Sequence, residues 1–378
     1  MKRIWLTCFV YLSLISTPVL LSSCQSQPTS TSSSPESQAS PAAQTNSTAT
    51  QTQEKRAIKV NPSWLLQGDN APITVAIQKG YFAEKGLDVT LERGFGSSDT
   101  LGKVAAGQFE FGFGDMYSMI EFNAKNPNDK LVAVAVPYNE APFAIVSLKK
   151  SGINDPKTLQ GKKLGAPAGD APRRLWPVFA QQVGVAPDSV EWITMEPKLR
   201  ETLLLKGDVD AVSGFATTII PSLVKAGTKQ EDLNTFYYTD NGLPLYGNAI
   251  IVKESFLKEN PEVVKGFLEA YIRGLQDTLK DPNAGLATVM KAGDSLMDEN
   301  VEKLRLQIAT QQLYVTPEVE KVGLAGVDPA RLEKTIQQVA KGFGLPSTPA
   351  VEQVFNGSFL PPQEQRILPP ASERKPLT

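Results

Sequence analysis

The feature that most limits what this chain can become is the regular alternation of strand-like and helix-like segments that begins near residue 56. Residues 57–61 (AIKVN) read as a strand. Asp69-Asn70-Ala71-Pro72 then supplies a cap residue and an early proline, which together start a helix. Residues 73–79 continue that helix and Gly80 stops it. Residues 87–92 alternate as a second strand, and 94–99 (GFGSSD) form a turn and cap. Residues 101–106 make the next helix, closed at Gly107. Residues 109–113 are a third strand and Asp115 opens another helix. Such a βαβα rhythm predicts an α/β fold with a mostly parallel sheet and helices on both faces.

The rhythm restarts at residue 163. Residues 163–166 and 190–194 read as strands, with a helix between them that starts at Asp170-Ala171-Pro172 and runs through Trp176 and Phe179. A helix over 199–206 and a strand over 209–213 follow. Residues 107–114 (GQFEFGFG) and 207–214 (GDVDAVSG) have the same form: a helix ends at Gly, a short apolar strand runs, and a Gly precedes a new helix. Either one architectural step is used once in each of two lobes, or common βα grammar has produced it twice. From residue 253 onward the pattern is helical, with apolar residues at three- and four-residue spacing over 261–278, 283–292, 300–313, 329–342 and 350–355.

The two ends differ from this body. Lys2 and Arg3 precede an uncharged apolar run over 4–21, followed by Ser22-Ser23-Cys24. A basic start, an apolar stretch and a small-residue cleavage site make an export signal. Leu21-Ser22-Ser23-Cys24 resembles the bacterial lipoprotein signal. That resemblance implies removal of 1–23, a lipid on Cys24, and an exported protein anchored to the cell or periplasmic membrane face. An ordinary signal peptide or a membrane span remains open at this point. Residues 24–55, dominated by Ser, Thr, Gln, Pro and Ala, are expected to form a disordered tether. The stretch 359–378 is rich in Pro and charge, and order is expected to fade toward its end.

Composition narrows the chemistry. The 378 residues include no His and two Cys, of which Cys8 lies in the leader. This excludes His-based acid–base work and leaves zinc, haem and iron–sulfur sites without their usual His and Cys ligands. No cofactor or metal is expected. Lys and Arg number 38 against 40 Asp and Glu, so there is no basic field for nucleic acid.

One long stretch is specific. Residues 69–89 (DNAPITVAIQKGYFAEKGLDV) resemble the opening of substrate-binding proteins of the nitrate/sulfonate/taurine type of ABC importer, which share a fold with thiamine-pyrimidine precursor synthases. Agreement continues through 107–114, 157–163, 205–211 and 246–252. The resemblance implies a type II periplasmic-binding-protein clamshell, with 56–147 plus 247–358 as lobe one and 148–246 as lobe two. Strands near 143–147 and 248–252 would cross between them, and the C-terminal helices would form a block. It also implies a monomer that captures a small solute between the lobes and presents it to ABC permease and ATPase subunits. A ligand sensor paired with a membrane receptor would use the same clamshell. The synthases of the family resemble suicide catalysts that need an active-site His and pyridoxal phosphate, so the missing His argues against an enzyme.

In open α/β sheets ligands collect beyond the carboxyl ends of strands, where helix starts offer free N–H groups. Four starts qualify. The first is 64–70, where Trp64 could stack on a solute or act as core, and Asp69 and Asn70 could face inward or cap. The second is Gly96-Ser97-Ser98, suited to a sulfonate or carboxylate. The third is Gly114-Asp115. The fourth is Gly169-Asp170 with Arg173, whose guanidinium could grip an anion or lie on a solvated face. Asp115 and Asp170 would favour an amine if they face the cleft. Phe215, Tyr138 and Tyr246 complete the expected lining, although either Tyr could instead pack at the hinge. The sum is a cleft of mixed charge with aromatics, fitting a sulfonate or taurine-like zwitterion or an amino-substituted heteroaromatic.

Overall fold

Ten strands form two five-stranded sheets in the computed structural model, which describes residues 55–378. They are β1 (Arg56–Asn61), β2 (Leu87–Leu91), β3 (Phe111–Asp115), β4 (Leu131–Ala135), β5 (Phe143–Leu148), β6 (Lys163–Ala166), β7 (Glu191–Thr194), β8 (Ala211–Phe215), β9 (Leu233–Tyr237) and β10 (Asn248–Lys253). The leader, Cys24 and nearly all of the expected tether lie outside the described residues.

The first sheet has the order β2-β1-β3-β10-β4 and the second β7-β6-β8-β5-β9. In each, three strands run parallel and the fourth enters antiparallel to its neighbours. That fourth strand is the one that arrives from the other sheet: β5 follows β4, and β10 follows β9. The two Gly-bounded octapeptides therefore have one structural meaning. Their strands, β3 and β8, hold the same third place in the two sheets and each leads directly into a helix, Met116–Lys125 and Ala216–Lys225. This is one architectural step used in each lobe.

Packing explains the local pattern. Ile58 and Val60 of β1 are fully buried while their neighbours Ala57 and Lys59 are exposed, the alternation of a strand with one covered face. The cover is the helix Pro261–Lys280, whose Phe267 stacks on Phe111 at 3.8 Å between ring centroids. Burying a side chain of this size contributes roughly 1.5–3 kcal/mol. The same helix crosses Ala71–Gln78 so closely that a Cβ on Gly274 would lie 2.2 Å from the Pro72 carbonyl oxygen.

Behind the crossing strands a single apolar cluster joins both lobes. It runs from Met116 and Tyr117 through Phe143 and Tyr246 to Trp176 and Phe179, and takes in Leu332, Ile336 and Val339 of the helix Pro329–Gly342. Arg331 at the start of that helix donates to the Pro244 and Leu245 carbonyls and to Glu140 and Glu318. It thus holds both crossing segments.

The C-terminal stretch departs from expectation. Arg366 donates to the carbonyls of Pro361, Val322 and Leu324, Lys375 pairs with Asp281 at 2.7 Å, and Leu360 and Leu368 pack on the core. Its regular structure is limited to short 3-10 turns at Gln363–Gln365 and Ala371–Glu373, and its side chains find fixed partners. Among the described residues no helix is long and apolar enough to cross a membrane.

Candidate functional site

A cavity lies between the lobes, beyond the carboxyl ends of β1, β2, β6 and β8. The loop after β1 forms one wall. Asn61, at the end of β1, accepts from the Ser63 amide (3.0 Å) and from the Thr100 hydroxyl (2.6 Å), and the Ser63 carbonyl in turn accepts from the Gly96 amide (2.7 Å). Ser63 sits at φ 63°, a costly conformation for a residue with a side chain, and these bonds hold it there. The result is a fixed seat for Trp64. Phe215, at the end of β8, lines the cavity from the other lobe and lies 5.2 Å from Phe143.

Asp69 forms the floor. It is 7% exposed; one carboxylate oxygen accepts from the Tyr138 hydroxyl at 2.6 Å, and its carbonyl accepts from Tyr314. The other oxygen, Oδ1, has no partner. Burial pushes the Asp69 carboxyl up, against the opposing bond from Tyr138 and the charge of Arg305. Asn248, the first residue of β10, is 6% exposed and its Oδ1 is likewise unpartnered.

The opposite lobe contributes an ion cluster. Arg200 is 1% exposed, with its guanidinium carbon 5.4 Å from the Trp64 ring. It donates to Glu201 at 3.0 and 2.7 Å and to the Ser213 carbonyl at 3.3 Å, and lies 3.9 Å from Asp170. Asp170 accepts from the Arg173 amide and the Ser213 hydroxyl. Burial raises the Asp170 carboxyl, and the Arg200 charge opposes that rise.

Of the residues singled out from sequence, Trp64, Asp69, Asn70, Gly96, Ser97, Tyr138, Asp170 and Phe215 line the cavity together. The remaining six sit elsewhere. Ser98 donates its amide to the Gly169 carbonyl (3.2 Å), so these two residues close the rim and face a second cleft outside it. Gly114 packs against Ile251 and Ser97. Asp115 caps the Met116–Lys125 helix, accepting from the Tyr117 and Ser118 amides, and burial raises its carboxyl to about 6. Arg173 turns back to the Ala166 carbonyl and the Thr194 hydroxyl and covers Trp192 at 4.9 Å, where it grips no cavity solute. Tyr246 packs at the hinge, donating to Glu318 under the Arg331 guanidinium.

Sequence reasoning missed Pro62, Ser63, Arg200, Thr218 and Asn248, and did not single out Leu65, Gln67 or Ala171 within the helix starts it named. Asn248 carried a signal, as a lone amide leading the apolar run AIIV. Arg200 carried none, because an Arg beside a Glu on a helix reads as a solvated face.

The lobes touch on both sides of the cavity. Thr218 donates to Gln67 (3.0 Å), Arg305 to Ser222 (2.8 Å), and Lys225 pairs with Asp298 (3.2 Å) on one side. Arg174 pairs with Glu121 (2.5 Å) on the other. Two sheets exchanging strands around an enclosed cavity define the periplasmic-binding-protein fold. A solved structure of the alkanesulfonate-binding protein SsuA from Xanthomonas axonopodis pv. citri, bound to MOPS, superposes with a TM-score of 0.62 at 15% identity, over 80% of this chain and 99% of that one. Residues 67–285 match the family model described as NMT1/THI5 like, and the chain belongs to that family. Its relatives include a formylaminopyrimidine-binding protein from Halalkalibacterium halodurans, 23% identical over 71% of this chain and 81% of the relative. They also include a 4-amino-5-hydroxymethyl-2-methylpyrimidine phosphate synthase from Legionella pneumophila, 22% identical over 83% of this chain and 94% of the relative.

Proposed function

We propose that this protein is the extracytoplasmic solute-binding component of an ABC importer, capturing a small organic solute between its lobes. The observation that carries this reading is the enclosed cavity lined from both lobes, with buried polar atoms that lack protein partners. An unpaired buried acceptor costs about 1–3 kcal/mol, a cost a bound solute would offset. In this reading 56–147 plus 247–358 form one lobe and 148–246 the other, and closure over the solute creates the surface a permease recognises. The formylaminopyrimidine-binding relative and the alkanesulfonate-binding structural neighbour frame the candidate solutes as a sulfonate or taurine-like zwitterion or an amino-heteroaromatic.

A synthase-like role fits the residues poorly. The chain has no His, and no Lys lines the cavity, so neither an acid–base imidazole nor an amine to hold pyridoxal phosphate is in place. The full chain, reconstituted with the permease and ATPase of its own host, should stimulate ATP hydrolysis and uptake only when solute is present. Uptake that proceeds equally without the protein would sink the transport role and favour the sensor. The lipid anchor belongs to the same reading: Cys24→Ala should abolish acyl-chain labelling, and surviving label would place the anchor elsewhere.

A further inference from the structure

We propose that the face of the helix Ala216–Lys225 carrying Thr218, Ser222 and Lys225 is a reversible closing seam between the lobes, and that Arg305 is the positioning residue that ties this seam to the cavity floor. This deepens the solute-binding reading above and is tested without a solute, so it can fail while that reading stands.

Spacing sets the seam. Residues 218, 222 and 225 are four and three positions apart, so they share one face of the helix. Each meets a side chain of the other lobe. Thr218, on the cavity lining, donates to Gln67 at 3.0 Å. Arg305 donates to the Ser222 hydroxyl oxygen at 2.8 Å, and Lys225 pairs with Asp298 at 3.2 Å. The Ser222 proton is committed to the Thr218 carbonyl at 2.8 Å, which leaves its oxygen to accept from Arg305.

From Arg305 a chain of bonds leads to the floor. Its other terminal nitrogen donates to Glu302 at 2.5 Å, and the second oxygen of Glu302 accepts from the Gly68 amide at 2.7 Å. Gly68 immediately precedes Asp69. A Cβ on Gly68 would lie 2.0 Å from the Glu302 carbonyl oxygen, so this turn rests directly on the helix Glu299–Ile308. That helix widens into a π turn over Ala309–Leu313, and Tyr314 beyond it donates to the Asp69 carbonyl. The unit that carries Arg305 therefore grips the floor twice, and a shift of one moves the other.

Polarity makes the seam reversible. Water replaces each of its bonds when the lobes part, whereas the apolar cluster behind the crossing strands would lose its burial. Arg305 Nε is buried between the touching lobes and has no partner. Asp69 Oδ1, at the far end of the chain of bonds, has none either. Closure alone leaves both unmet, and a solute that pairs with Asp69 tips the balance toward the closed form.

The test is the distribution of distances between spin labels on the full chain in detergent, without solute. Labels go on Gln108→Cys and Asp208→Cys, exposed positions one on each lobe, with Cys8→Ser and Cys24→Ser so that no other thiol reacts. The closed fraction should rise in Ser222→Asp, whose carboxylate holds the guanidinium more strongly, and fall in Ser222→Ala, where the closed-to-open ratio should drop about tenfold. Lys225→Met, at the exposed end of the seam, should change that ratio less than twofold. In an Arg305→Met background both Ser222 substitutions should lose their effect, an outcome that a residue supporting only its own helix does not produce. Arg305→Lys keeps the charge, cannot span Glu302 and Ser222 together, and should remove the effect in the same way. Equal distributions in the parent, Ser222→Ala and Ser222→Asp overturn the proposal. So does a Ser222 effect that persists undiminished without Arg305, or a larger change in Lys225→Met than in Ser222→Ala.

Discussion

Arg200 shows how a single charge organises one wall of the cavity. Its guanidinium is buried beneath Trp64, between Glu201 and the Ser213 carbonyl, and within 3.9 Å of Asp170. Removing one partner from such a cluster leaves carboxylates in a medium that solvates them badly, at a cost of about 3–5 kcal/mol. Arg200→Ala should therefore lower the unfolding free energy by about that much, read as a lower urea midpoint at unchanged slope. Asp170→Asn added to it should recover part of the loss. An Arg200→Ala protein as stable as the parent would mean that water reaches the cluster. The residue was invisible in the sequence for a physical reason. Its partners, Ser213 and Asp170, come from β8 and from the turn after β6, and no spacing along the chain reports that convergence. Asp69 and Trp64 were legible because a cap-and-proline helix start is written locally.

At the scale of elements, the helix starts carried most of what the sequence could reveal. Gly stops and Asp caps act within one turn, so the βα units after β1, β2, β3, β6 and β8 follow from local signals. The strand exchange does not, since β5 and β10 are placed by partners from far along the chain. The cap at Asp115 has a consequence for pH. Burial raises its carboxyl from 3.8 to about 6, so between those values the folded protein binds more protons than the unfolded chain. Stability from this group therefore falls as pH rises through about 4 to 6, by at most ~1.4 kcal/mol per pH unit. Asn caps a helix about as well as Asp. Asp115→Asn should keep the helix and flatten the stability profile in that window, measured by urea unfolding from pH 4 to 7. An unchanged profile would show that Asp115 ionises freely in the native state.

The whole molecule is tied unevenly around its cavity. Behind the crossing strands the apolar cluster is continuous between lobes and Arg331 holds both connections, so that side serves as a pivot. The rim at Gly96 and Gly169 is instead a close backbone approach, with one hydrogen bond from Ser98. Gly96 has φ 109°, and a Cβ there would lie 2.3 Å from the Gly169 carbonyl oxygen, on the other lobe. No rotamer relieves a clash with backbone, so Gly96→Ala must hold the rim apart. The backbone strain of placing Ala at positive φ, about 1 kcal/mol, is a separate effect that needs its own control. Gly107 supplies it, with φ 71° and nothing within 4 Å of an added Cβ. Gly96→Ala should lose more stability than Gly107→Ala even without solute, because φ 109° with ψ 164° is a region only glycine adopts readily. Only Gly96→Ala should lose solute affinity, by tenfold or more, and its scattering radius should no longer contract on titration. If the two variants bind alike, the rim is not where this molecule closes.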